Sequence, residues 1–358
     1  MTTKSIIADS TAPTSEEQVK QESLISIDAL PEDIRNGLQD IFSGKSLPPL
    51  YSDIIAKKVF NADIHPDRLN LLLRGIAKDP TIDVQSSAGN ESIRQSIHSK
   101  GMISDIPSWL RDGRLSDLEI QKIRQDFIFT RVELYASDML LLQYSVEPGQ
   151  AKSERNFTNV SEVLVVVLMV ESPKAFRIFD AESERYIHRF TTMKADTGLT
   201  YPSKAKIIYV QLDKCLEQFR KDFNAETEDQ KPDLLQILLA MIADINDERV
   251  TQKAKDDRIL QDIRLEAQQM AQDREVQNMI IQERYDRMDW LTYGAEQKAL
   301  GEARGKAIGE ARGIIKGEDK LAALISQLFA LGRSADAEKA VNDATFRAQL
   351  YKEFKMLD

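Results

Sequence analysis

Residues 102–121 read MISDIPSWLRDGRLSDLEIQ. The centre of the stretch, Arg111-Asp112-Gly113-Arg114, predicts a turn, because Gly tolerates positive φ and Asp hydrogen-bonds its own backbone. The flanking segments are short and extended, so the chain folds back as a hairpin and sets Asp105 beside Glu119. Side chains two apart on a strand share a face, which points Glu119 and Gln121 one way and Ile120 the other. Two carboxylates and an amide then converge, a set suited to a hard divalent cation such as Mg²⁺ with open water positions. The other reading of these residues is a surface hairpin whose polar side chains face water.

Outward from the hairpin the pattern alternates between helix and strand. Tyr51 to Phe60 places Ile54, Ile55, Lys58 and Val59 at helical spacing, and Pro66 to Ile76 gives a second amphipathic helix. Thr81 to Asn90 reads as a strand and loop. Beyond the hairpin, Arg124 to Tyr144 is expected to be a helix with Phe127, Ile128, Leu134, Leu141 and Leu142 on its apolar face. Glu162 to Val170 is Val-rich and apolar after its first residue, as expected of a strand covered on both faces. Ala205 to Leu212 alternates and reads as another strand.

Composition sets limits on function. The net charge of −10 repels nucleic acid on average, so a nucleic-acid site must be a local surface. Locally, Glu91 to Tyr135 is balanced, with seven Lys/Arg against seven Asp/Glu. Cys215 is the only cysteine, which excludes an intrachain disulfide and a Cys-rich zinc site. His65, His98 and His188 are scattered without ligand spacing. The longest apolar run, Val163 to Val170, is eight residues, against roughly 20 for a spanning helix. No apolar stretch of signal-peptide length opens the chain, so a cytoplasmic protein without a membrane partner is expected.

The order acidic residue, turn, then Glu-x-Gln at the end of the next strand resembles the PD-(D/E)XK nuclease family transposases, the Rpn-like recombination-promoting nucleases. Asp105, Glu119 and Gln121 carry the resemblance, with Gln121 where the wider superfamily has lysine. Asp53, Lys57 and Phe60 match the family's D-x-x-x-K-x-x-F helix, with Ala56 in place of its usual phenylalanine. Lys100 resembles the lysine ahead of the catalytic strand, and Arg131 with Tyr135 the family's R-x-x-x-Y.

The resemblance implies an α/β, restriction-endonuclease-like core: a mixed sheet flanked by helices. It implies a DNA endonuclease in which Asp105 and Glu119 hold Mg²⁺ or another divalent cation, the Ile120 carbonyl completes the shell and Gln121 orients a water. Asp53 is then a candidate third acid, and Lys57, Lys100, Arg131 and Tyr135 candidate phosphate contacts. Asp53 is equally an acid favoured by the helix dipole, and Arg131 with Tyr135 an ordinary packed helix face.

Four regions are expected: an acidic, disordered or loosely attached leader over 1–45 with a short helical pattern around Pro31 to Phe42, order starting near Leu50; a nuclease-like domain over 46–230; a long charged helical region over 231–320; and short C-terminal helices over 321–358, split near Gly332. Thr251 to Lys320 holds 13 Lys/Arg and 14 Asp/Glu, the mixture of a solvated helix. Within it Gly301, Gly305, Gly309, Gly313 and Gly317 recur every four residues. The intervening charges forbid hydrocarbon burial, and the run lacks the ending of a phosphate loop. Similar Gly-Glu-Ala-Arg repeats end Rpn-like chains. The competing expectation is a binding or assembly protein that keeps the fold and forms homo-oligomers through its C-terminal helices; Ser104 before Asp105 and the acidic charge favour it.

Overall fold

The structure is a computed structural model describing residues 26–88, 105–123, 127–144, 160–179, 185–224 and 231–356. Its centre is a mixed sheet of six strands in the order β1-β2-β3-β4-β6-β5. The strands are β1 (Val84–Ser87), β2 (Ile106–Leu110), β3 (Leu115–Gln121), β4 (Val163–Met169), β5 (Ile187–Lys194) and β6 (Thr200–Gln211). β1, β2 and β3 are antiparallel neighbours, whereas β3, β4 and β6 run parallel. This is the α/β, restriction-endonuclease-like arrangement expected from the chain.

The Asp-Gly turn forms as its chemistry dictates. Gly113 has φ +85°, and the Arg114 amide donates to Asp112 Oδ1 at 3.1 Å. The Leu110 amide donates to the Arg114 carbonyl at 2.9 Å, closing the hairpin. Every residue of β3 and β4 is buried, which accounts for the unbroken valine run in β4. Val163, Val165, Val167 and Met169 face Ile128, Val132, Ala136 and Met139 of α4 (Ile128–Tyr144; α1 to α3 precede it and are placed below). The apolar face of α4 therefore differs from the expected one. Phe127, Leu134 and Leu141 are exposed, because their seven-residue spacing puts them on the side opposite Ile128, Val132 and Met139.

α1 (Glu32–Phe42) buries Leu38 and Ile41, so order begins ahead of Leu50. α2 (Asp53–Val59) and α3 (Pro66–Ala77) follow where the periodicity put them. β5 was not anticipated: as an edge strand it is half exposed and polar, with no apolar alternation to mark it. After α5 (Lys174–Phe179) and α6 (Leu212–Asp222) the chain is helical: α7 (Leu234–Ala243), α8 (Glu248–Ala254), α9 (Arg258–Gln272), α10 (Arg274–Ala330), α11 (Ser334–Asn342) and α12 (Ala344–Glu353). α7 packs on α3 and α6, and α9 on α1 and α2.

One compact unit accordingly runs to Glu283, and a second begins at Arg284. In the second, Leu324 and Leu328 near the end of α10 pack with Ala337, Ala340 and Leu350. Residues 321–330 are thus the last turns of the long helix, which stops before Gly332 at φ +71°. Among the described residues no helix is long and apolar enough to cross a membrane.

Candidate active site

The β2–β3 register pairs Ile106 with Leu118, which carries Asp105 opposite Glu119. The Asp105 amide donates to Glu119 Oε1 at 3.2 Å, and the Ile120 amide donates to Asp105 Oδ2 at 2.9 Å. Each carboxylate thus satisfies a backbone group on the partner strand, fixing both side chains at one end of the hairpin. β3 is paired residue for residue with β4, so Leu115, Asp117, Glu119 and Gln121 lie level with Val163, Val165, Val167 and Met169. They therefore share the face that α4 covers. Glu119 is 4% exposed, Gln121 7% and Asp117 0%.

α4 brings Arg131 to that face. Its guanidinium donates from Nη2 to Glu119 Oε2 at 3.2 Å, from Nη1 to Gln121 Oε1 at 3.2 Å, and from Nε to Tyr135 Oη at 2.9 Å. Tyr135 lies one turn on along the same helix, the spacing at which side chains meet. Gln121 Nε2 donates to the Ile123 carbonyl at 2.7 Å, so both ends of its amide are engaged.

Burial dominates the electrostatics. It pushes the Glu119 carboxyl up to about 10, reinforced by Asp117 and then Asp105. Asp105 is also raised, first by burial and then by Asp53, against the Ile120 amide, Lys57 and Arg131. Arg131 and the Asp105 amide pull Glu119 the other way without overcoming its burial beside like charges.

Of the other expected residues, Asp53 and Lys57 both lie near enough to act on Asp105 through their charge. Asp53 Oδ1 is 2.9 Å from Lys122 Nζ, and Lys122 also pairs with Glu283 in the first turns of α10. Ser52 Oγ donates to Glu283 as well. Lys100 lies outside the described residues. His65 pairs with Glu266 at 3.2 Å and His188 with Gln211 at 2.8 Å, far from metal-ligand roles.

Sequence reasoning missed Asp117, Lys122 and Glu283. Asp117 was accessible from parity alone, being two residues before Glu119; Glu283 had no local signal. Among the described residues no three His, Cys, Asp or Glu side chains are grouped so as to hold a metal ion. Asp105 and Glu119 are a two-carboxylate set, which fits Mg²⁺, an ion bound through one or two carboxylates with waters filling its octahedron. Two raised carboxyls are also what a bound cation would return to their ionised form.

A family model described as PD-(D/E)XK nuclease family transposase matches residues 51–294, more than half of the chain, from the start of the α2 region into α10. No curated protein and no solved structure matches the chain.

Proposed function

Because the chain belongs to the PD-(D/E)XK nuclease family transposases, we propose that it is a Mg²⁺-dependent DNA endonuclease that promotes recombination by cutting phosphodiester bonds in the cytoplasm. The observation that carries this reading is the pairing of Asp105 and Glu119, joined through hydrogen bonds of 3.2 and 2.9 Å and both raised by burial. Asp105 and Glu119 would hold the cation, with the Ile120 carbonyl beside them. A bound divalent ion supplies polarisation of the phosphoryl oxygen and a lowered pKa for its water. The water oxygen forms a bond to phosphorus as the bond to the leaving oxygen breaks, and one product keeps the phosphate while the other ends in a hydroxyl. Asp53 and Lys57, one turn apart on α2, border Asp105 and extend the site toward the DNA backbone. Lys57, Lys122 and Arg131 are the basic groups set among these acids, Lys122 pairing with Asp53 and Glu283 and Arg131 with Glu119.

The test is nicking of supercoiled plasmid by the purified full chain with Mg²⁺ and with EDTA. Asp105→Asn keeps an acceptor for the Ile120 amide, so it is expected to abolish cleavage with little change in thermal unfolding. Cleavage at the wild-type rate by both Asp105→Asn and Glu119→Ala would place the chemistry elsewhere.

A second reading, a nuclease-fold assembly module, is favoured by one observation. Tyr293, Leu300, Ile308 and Ile315 of α10 are exposed by 61, 51, 54 and 58% at intervals of seven and eight residues, a stripe at helical period. Such a stripe supports self-association of the C-terminal helices, and it is compatible with catalysis by the other unit.

A further inference from the structure

The site has a cation that the Glu-x-Gln motif itself lacks. We propose that Arg131, held in place by Gln121, supplies the positive charge to the scissile phosphate that a lysine at position 121 supplies elsewhere in the superfamily; this rests on the endonuclease reading above.

The geometry of Gln121 is the starting point. Its Nε2 faces the Ile123 carbonyl and its Oε1 faces Arg131, at 2.7 and 3.2 Å. Only that orientation of the amide matches donor to acceptor at both ends. With both ends engaged, the amide has a holding part to play rather than a direct one on water. What it holds is a guanidinium, lying within 3.2 Å of both Gln121 and Glu119 and gripped from behind by Tyr135 at 2.9 Å.

A guanidinium has five N–H donors in a planar fork. Among the described residues three are used, one on each nitrogen, which leaves one N–H on Nη1 and one on Nη2 for a ligand. Each of these N–H groups can donate a charge-assisted hydrogen bond to a phosphate oxygen. The residues gripping Arg131 are the ones beside which a scissile phosphate would lie. Glutamine, not lysine, then belongs at 121. An ammonium there would sit against the Arg131 guanidinium, and like charges at that range repel. Gln121 and Arg131 thus form a matched pair across β3 and α4. The guanidinium cannot be deprotonated at accessible pH, so its action is electrostatic and never that of a proton acceptor.

The experiment is a cycle on the full chain, comparing wild type, Arg131→Ala, Arg131→Lys, Gln121→Lys and the double variant Arg131→Ala/Gln121→Lys. Removing Arg131 is expected to lower kcat on the order of 10²-fold, as loss of one donor to a charged transition state does. Arg131→Lys keeps the charge but not the planar fork, and is expected to recover only part of that loss. Gln121→Lys alone is expected to lose rate by repelling Arg131, and the double variant to regain it, so the two changes are non-additive.

A second readout needs no turnover: DNA affinity by fluorescence anisotropy with Ca²⁺ replacing Mg²⁺. Arg131→Ala should bind more weakly and with a salt slope lower by about 1, and the double variant should recover both. A merely structural Arg131 would show no recovery on adding a lysine at 121. Wild-type rate and affinity in Arg131→Ala, or a double variant no better than the single ones, overturns the inference alone. Absence of Mg²⁺-dependent cleavage by wild type overturns the endonuclease reading and this inference with it.

Discussion

Replacing Glu119 by glutamine is expected to remove metal-dependent cleavage and to make the stability of the fold less dependent on pH. The side chain is 4% exposed, and burial, then Asp117, then Asp105 push its carboxyl from 4.5 up to about 10. A raised carboxyl keeps a proton in the folded state that the unfolded chain has released, so its contribution is fully present below 4.5 and is lost progressively as pH rises toward about 10. Each pH unit inside that window corresponds to about 1.4 kcal/mol. Glutamine still accepts from the Asp105 amide and has no proton to lose, while its Nε2 meets the Arg131 Nη2 donor at a cost that does not change with pH. The variant's advantage over wild type should therefore grow by about 3 kcal/mol between about pH 5.5 and about pH 7.5. Urea unfolding in EDTA, followed by circular dichroism at the two pH values, measures it. Adding Mg²⁺ at the higher pH should narrow the gap by stabilising wild type alone. An advantage that is equal at both pH values would mean that Glu119 ionises normally in the fold, and would refute the account of how burial prepares the site for a cation.

Asp247 carries the opposite sign. Burial raises its carboxyl, but Arg220 and the amides of Arg249 and Val250 outweigh it and hold the group below the ordinary value. Asp247→Ala is expected to cost about 2 kcal/mol at neutral pH through the lost N-cap and ion pair. That loss should vanish as pH falls through the lowered carboxyl value, a trend that urea midpoints at neutral and acid pH would show or deny. Gly113 sits at φ +85° with nothing within 4 Å of a new Cβ, so Gly113→Ala should cost only backbone strain, about 1 to 2 kcal/mol, in calorimetry. A much larger loss would mean that the turn geometry also positions Asp105 and Glu119. Ending the chain at 294 should preserve cleavage and lower the number of chains per particle found by light scattering, and an unchanged number would remove the assembly role. Ending it at 229 strips off α7 and Glu283 and should abolish cooperative unfolding, so a sharp transition there would contradict the packing of α7 on α3 and α6.

The hairpin and its paired acids were legible because their determinants are local: an Asp-Gly turn and side-chain parity along β3. The same parity marked Asp117, but an aspartate inside a strand reads as solvent-facing until β4 is known to pair along β3 and α4 to cover the shared face. Arg131 was singled out by its spacing from Tyr135, whereas its grip on Glu119 and Gln121 depends on how α4 crosses β3, which no window of sequence contains. Glu283 lies 161 residues from Lys122 along the chain. β5 escaped because an edge strand has little apolar face to alternate. For α4, counting apolar residues without fixing the phase chose Leu134 and Leu141 over Val132 and Met139.

Gly301, Gly305, Gly309, Gly313 and Gly317 sit inside α10, where nothing approaches within 4 Å of the position a Cβ would take. Glycine forgoes about 1 kcal/mol of helix propensity per residue relative to alanine, so these five positions give up about 5 kcal/mol, and the described side chains of the stretch are exposed. In a lone chain the amides of 301–317 should then exchange with solvent almost as fast as those of an unfolded peptide, and the stretch should be the first cut by a protease. Exchange there should slow as protein concentration rises, while the amides of β3 and β4 stay protected at every concentration. The glycines make the helix a segment whose persistence reports on the company it keeps.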